Sequence, residues 1–354
     1  MPRAMLSWNR SSRLPAIAAL FLALAAAGPR LPRAHACDIC AIYIATEIAE
    51  GRTGPRLGLA QQFTHFGTLE DGGRKAANPA GERIDSSITQ LIGRWQFTHR
   101  LGVQLNVPLI SRHYRRVLHD GRIRHGDETG LGDLAVLADV LIYSRVTTDT
   151  VLRWSFLAGL ELPSGDTGPL AEELRLADTP RGRGRGQGRQ LHPRHGGDGH
   201  GGRSAPSGVH GHDLALGSGS VDGIVGTAAS WSWRRLFITA ALQYAIRREG
   251  DFAYRYANDL VWDGGPGVYL LLDHRYTLGL QAMLAGETKG KDTQQGRRLD
   301  DTAVTRLSVG PGLHFTWSTS LAASLAVDLP VIRHNTALQI VPDYRVRGGL
   351  TWRF

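Results

Sequence analysis

The final twelve residues, Asp343 to Phe354, alternate strictly in character. Tyr344, Val346, Gly348, Leu350, Trp352 and Phe354 fall on one parity, and Asp343, Arg345, Arg347, Gly349, Thr351 and Arg353 on the other. A period of two puts these sets on opposite faces of a β-strand, whereas a helix would scatter the charges around its circumference. A strand with one greasy face and one cationic face fits a barrel wall between lipid and water, or a one-sided sheet on a soluble core.

The pattern recurs upstream. Leu152, Trp154, Phe156, Ala158, Leu160 and Leu162 alternate with Arg153, Ser155, Gly159 and Glu161. Leu236, Ile238, Leu242, Tyr244 and Ile246 alternate with Thr239, Gln243 and Arg247. Leu278, Leu280 and Leu284 oppose Gln281 and Glu287; Leu307, Val309, Leu313 and Phe315 oppose Arg306, Ser308 and His314; Leu325, Val327 and Leu329 oppose Asp328. No apolar run after the N-terminal region approaches the roughly 20 residues of a spanning helix, and Leu134 to Ile142 is broken by Asp139. Barrel strands need only ~9–11 residues.

The chain opens with Arg3, Arg10 and Arg13, then an apolar stretch from Leu14 to Ala27, then Ala34-His35-Ala36, a small-x-small cleavage pattern. This predicts a signal peptide over 1–36 and a mature start at Cys37. The formal charge of +9 shrinks once its location is considered. The leader holds five arginines and no acid, and residues 178–213 hold six arginines against three aspartates. The remaining body is near neutral, with no basic stripe for a nucleic acid to follow. Cys37 and Cys40, the two cysteines, lie in a segment over 37–55 that enters an oxidising compartment. A local disulfide is expected there, with metal binding or redox exchange as the alternatives. No His follows Cys40, which excludes c-type haem attachment.

Connections between the alternating runs are short and long by turns. Short ones fall near His99-Arg100, Arg145 to Asp149, Trp233-Arg234, His274-Arg275 and Ser318-Thr319. Long ones span about 67–85, 117–130, 164–215, 249–259, 288–301 and 334–342. The count predicts an all-β fold: a transmembrane antiparallel up-and-down β-barrel of about twelve strands over 56–354, in a bacterial outer membrane. Both ends lie at the short-turn, periplasmic rim. Trp95, Phe97, Tyr143, Trp231, Trp233, Tyr276, Phe315, Trp317 and Trp352 cluster near short turns or the C-terminus, as an interfacial aromatic girdle would. The terminal Phe354, with Trp352 two residues earlier, resembles the signal by which outer-membrane proteins engage the barrel assembly machinery.

Three short Gly/Asp motifs carry a further resemblance: Thr129-Gly130-Leu131-Gly132-Asp133-Leu134, Leu162-Pro163-Ser164-Gly165-Asp166 and Gly217-Ser218-Gly219-Ser220-Val221-Asp222. They resemble motifs of the outer-membrane family named for the MetA pathway of phenol degradation, whose members are labelled transporters. The match covers about 120–250 and implies a barrel passing hydrophobic or aromatic solutes. It supplies no binding residue. Read from their chemistry, the glycines allow tight bends at the rim, and the aspartates accept nearby backbone amides. No βαβ context makes the Gly-x-Gly pairs a nucleotide loop, and no cofactor is expected.

The inward parity supplies the functional candidates: Arg94, Arg153, Glu161, Gln243, Arg247, Gln281, Glu287, Arg306, Asp328, Arg345 and Arg347. In a water-filled pore these set selectivity, with arginines favouring anions; in a filled barrel they pair with one another. The Gly-rich stretch 178–213 is expected to be a disordered outer loop. Its His192, His195, His200, His210 and His212 are candidate metal ligands. Outer-membrane phospholipase, another twelve-stranded barrel, carries a His-x-Ser-Asn-Gly run; none occurs here, and no enzyme is expected. The expected function is passive passage of small solutes. The alternative is a non-conducting barrel that binds metal or docks a partner through the His-rich loop and Cys37-x-x-Cys40.

Overall fold

The computed structural model describes residues 53–118, 120–177 and 207–354. The wall begins with β1 (Gly54–Asp71), from which the short β2 (Arg74–Ala76) folds back at the outer end. It continues with β3 (Arg83–Gln96), β4 (Leu101–Val117), β5 (Ile123–Leu131), β6 (Leu134–Val146), β7 (Thr150–Leu162), β8 (Asp222–Trp233) and β9 (Leu236–Ile246). After β10 (Tyr254–Arg255) come β11 (Asp259–Leu272), β12 (Tyr276–Lys289), β13 (Thr293–Gln294) and β14 (Arg297–Arg298). The wall ends with β15 (Val304–Trp317), β16 (Leu321–Asn335) and β17 (Leu338–Arg353). Between β7 and β8 lie α1 (Leu170–Ala177) and the single-turn α2 (Gly211–Leu214).

Neighbours along the wall pair antiparallel, and β17 closes on β1 from Arg56↔Arg353 to Asp71↔Leu338. β5 and β6 form one wall strand in two pieces. The outer half of β4 pairs with β5 and its inner half with β6, the break falling at Gly132-Asp133. Counting that pair once gives twelve wall strands, with short turns between β3–β4, β6–β7, β8–β9, β11–β12 and β15–β16. The strands β10, β13 and β14 make a small separate sheet at the outer end.

The alternation sorts the side chains as the sequence requires. Trp154, Phe156, Leu160, Ile238, Leu242, Leu325 and Leu350 are exposed on the outside of the wall. Glu161, Gln243, Arg247, Gln281 and Asp328 are buried inside it. An exposed apolar belt on a closed barrel is the surface that acyl chains cover. Trp95, Trp233, Tyr276, Trp317 and Trp352 stand exposed beside the short turns and the C-terminus.

Three expected loops differ from their reading. The one over 117–130 is mostly strand, since β5 folds back on β4 from Val117↔Ile123 to Leu109↔Leu131. Residues 334–342 form no long outer loop: β16 runs to Asn335, β17 starts at Leu338, and a two-residue turn joins them. Pro342 hid the strand, since proline reads as a breaker but is tolerated where its missing donor falls outside a ladder. The third difference is residues 207–213, expected to be a disordered outer loop, which instead fold into the barrel.

Candidate functional site: a lumen closed by its own loop

The three Gly/Asp motifs meet on one carboxylate. Asp133 Oδ1 accepts the backbone N–H groups of Ser164 (3.1 Å) and Gly165 (2.9 Å), and Oδ2 accepts that of Ser218 (2.6 Å). A Cβ at Gly217 would lie 2.5 Å from Asp133 Oδ1, so glycine permits the approach. Asp133 thus fastens both ends of the long β7–β8 connection to the β5–β6 break. Leu216 N–H reinforces this by donating to the Asp166 carbonyl at 2.8 Å.

That connection turns inward and fills the outer half of the lumen. Val209 and Leu214 pack with Phe66, Leu69, Ile84, Tyr114 and Ile340, which project inward from β1, β3, β4 and β17. Leu216 packs on Ile88 and Ile110. Polar contacts lock the plug in place. Arg112 Nη1 donates to the carbonyls of Asp213 (2.9 Å) and Ala215 (2.6 Å). Glu82 accepts Ser207 Oγ (2.5 Å) and Gly208 N–H (3.2 Å), and Ile340 N–H donates to the Gly208 carbonyl (2.8 Å). Arg116 reaches Glu172 at 2.7 Å. His212, buried under Tyr254, faces Glu173 across 3.0 Å. Burial opposes a charged imidazole there, yet Asp213, the Glu173 hydrogen bond and Asp301 outweigh it and push His212 up to about 10. Burial also opposes an ionised Glu173, but the His212 hydrogen bond and charge hold that carboxyl down at about 2.

Below the plug the candidate lumen residues divide by level. Toward the outer end they pair. Arg247 joins Glu161 (2.7 Å), Asp222 (2.9 Å) and Asp259 (3.2 Å), all buried, and Arg306 joins Glu287. Lower down, Asp328 holds Arg345 (2.9 Å) and Arg347 (2.8 Å), and Arg347 also reaches Asp263 (2.9 Å). Gln243 is buried in the same wall. Toward the short-turn rim the lumen opens into a cavity of about 400 Å³. Arg56, Gln90, Arg94, Arg153, Gln281, His314 and Arg347 line it with Phe237, Tyr269 and Met283. Arg94 pairs with Asp139 at 2.7 Å. Gln281 donates to Thr239 Oγ1 and the Gly265 carbonyl, both at 2.7 Å, and meets His314 at 2.7 Å. Gly264 and Gly265 let β11 bend here, both at positive φ, with backbone oxygens 2.1 and 2.0 Å from where a Cβ would stand.

Several residues escaped the sequence reading. Asp139 registered only as an interruption of an apolar run, and the Asp263-Gly264-Gly265-Pro266-Gly267 stretch concealed that Asp263 lies on a strand. Arg112 and Glu82 hold the plug, but their partners on it are more than 100 residues away, which leaves no local pattern. Cys37, Cys40, His192, His195 and His200 lie outside the described residues. His210 and His212 sit within the plug.

The wall has one seam. The β16–β17 ladder runs from Leu321↔Trp352 to Asp328↔Arg345 and stops there. Above it β16 follows β15 and β17 follows β1. Pro330 and Pro342 lie in the parted stretches, and neither has an N–H to donate. Arg333 bridges the gap: Nη1 donates to the Pro342 carbonyl at 3.2 Å and Nε lies 3.0 Å from Glu70.

No known family model matches the chain, and no curated protein sequence matches it. Solved structures do. The COG4313 outer membrane channel from Pseudomonas putida F1 aligns with a TM-score of 0.51 at 13% identity, over 87% of this chain and 100% of that one. The chain has the fold of an outer-membrane β-barrel. The translocator domain of the autotransporter NalP from Neisseria meningitidis aligns at 0.38 and 12% identity, covering 87% and 91%. The NanC porin aligns at 0.33 and 10% identity, covering 83% and 100%. At such identities the likeness is one of fold.

Proposed function

We propose that the barrel passes small solutes passively across the outer membrane, with a preference for hydrophobic or aromatic ones. The cavity of about 400 Å³ beneath the plug carries this reading. Its wall mixes Phe237, Tyr269 and Met283 with Arg153 and Gln281, a lining for a molecule with an apolar body and a polar end. The plug rests on non-covalent contacts and so can move without breaking the wall. The β16–β17 seam offers an apolar solute a second way between lumen and bilayer. Flux then follows the solute gradient.

Three further assignments belong to this reading. The Gly/Asp motifs group the chain with the MetA-pathway transporters, and the barrel is a conduit with no catalytic role. The strand ending in Phe354 engages the assembly machinery.

Purified protein in planar bilayers, together with liposomes loaded for phenol or sugar flux, tests the proposal. Small discrete steps and phenol entry faster than sugar entry are expected. Silent bilayers and unchanged flux, in wild type and in a plug-released variant alike, overturn it.

A further inference from the structure

We propose that His210, His212 and Asp213 on the plug, completed by Asp301 from the connection between β14 and β15, bind one divalent first-row transition ion of the zinc, nickel or copper class. One donor atom from each of His210, His212 and Asp213 already lies within 4.8 Å of the others. His210 Nε2 stands 3.4 Å from Asp301 Oδ2, and His212 Nε2 stands 3.5 Å from Asp213 Oδ1. The two imidazoles stack with centroids 5.4 Å apart and planes 13° apart.

A second observation points to a ligand. His210 Nδ1 is buried and makes no hydrogen bond. A buried ring nitrogen normally finds a partner, and this one has only the Asp213 carboxylate at 3.9 Å. Charge argues the same way. Glu173, Asp213 and Asp301 surround two imidazoles, so with both rings neutral the cluster carries three negative charges. Of the neighbouring cations, Lys289 holds Asp292 at 2.7 Å, and Arg112 donates to the carbonyls of Asp213 and Ala215. A site of this kind stabilises added positive charge. Imidazole nitrogens select a transition ion over magnesium or calcium, which prefer all-oxygen sets.

The ion would tie the plug to the β14–β15 connection, because Asp301 comes from outside the plug. Glu173, 3.0 Å from His212 Nδ1, would orient that ring from behind.

Calorimetric titration of the full-length barrel in detergent with zinc, and electron paramagnetic resonance with copper(II), test the site. One tight site per barrel and nitrogen hyperfine structure are expected. His210→Ala should weaken it by at least about 100-fold, and Asp301→Asn by about 10-fold. His210 is the safer ligand to remove, since its Nδ1 makes no hydrogen bond in the fold. The triple variant His192→Ala, His195→Ala, His200→Ala should leave this site unchanged. Overturning results are an unchanged affinity in His210→Ala, or disappearance of the tight site in the triple variant. Binding no tighter than that of the buffer-exposed histidines would count equally against it.

Discussion

Replacing Arg112 by methionine isolates what holds the plug in the lumen. Arg112 is 1% exposed, and its Nη1 donates to the carbonyls of Asp213 and Ala215 at the plug's inner end. Hydrogen bonds from a charged donor contribute ~1.5–3 kcal/mol each, so the pair supplies roughly 3–6 kcal/mol. Methionine keeps most of the stem packing and removes the cost of burying a guanidinium, which offsets part of that loss. A net destabilisation of about 3 kcal/mol shifts the docked-to-undocked ratio by roughly 100-fold. The wall should survive, because Arg112 bonds to the loop and the β3–β4 ladder is backbone. Single-channel recording should therefore show larger or more frequent open events, while heat-modifiable gel mobility stays that of wild type. Matching conductance histograms for Arg112→Met and wild type would refute the idea that the plug governs the lumen through this contact.

Other outcomes follow from the same geometry. Leu242→Arg, on the lipid face of β9, should cost about 2–4 kcal/mol in urea titrations of bilayer-inserted protein, whereas Gln243→Ala, its inward neighbour, should cost well under half of that. Pro342→Val should return a backbone donor to the parted β16–β17 edges and slow entry of apolar solutes several-fold with little change in ion conductance; equal slowing of both would remove the seam as a separate route. In chelator, plug docking should depend on pH through two groups. The raised His212 contributes fully below about 6.5 and loses its share as pH climbs toward about 10; the lowered Glu173 contributes fully above about 4.5 and loses its share as pH falls toward about 2. Protease sensitivity of the plug should thus be least between about 4.5 and 6.5, and a flat profile would dismiss the His212–Glu173 pairing.

The barrel was readable from the sequence because its rule is local. Alternation in β7, β9 and β17 declares which side meets lipid, and short turns such as Trp233-Arg234-Arg235 mark one rim. The plug was not readable, since Val209, Leu214 and Leu216 are three isolated apolar residues among Gly and His, with no period to connect them. Their partners on β1, β3 and β4 exist only once the wall has closed. Charge pairing hides for the same reason. The inward direction of Arg347 follows from parity, but Asp263 lies 84 residues away and meets it across the lumen. The choice between open pore and filled core was likewise invisible, because it changes with depth along single strands.

The grip of Asp133 on both ends of one excursion has an engineering corollary. Since Ser164, Gly165 and Ser218 are moored to the same anchor, the number of residues threaded between them matters little to the wall, and lengthening a tethered excursion costs only logarithmically. Position 190 is therefore a natural graft point. An epitope or affinity peptide spliced there should leave the scaffold's melting behaviour intact.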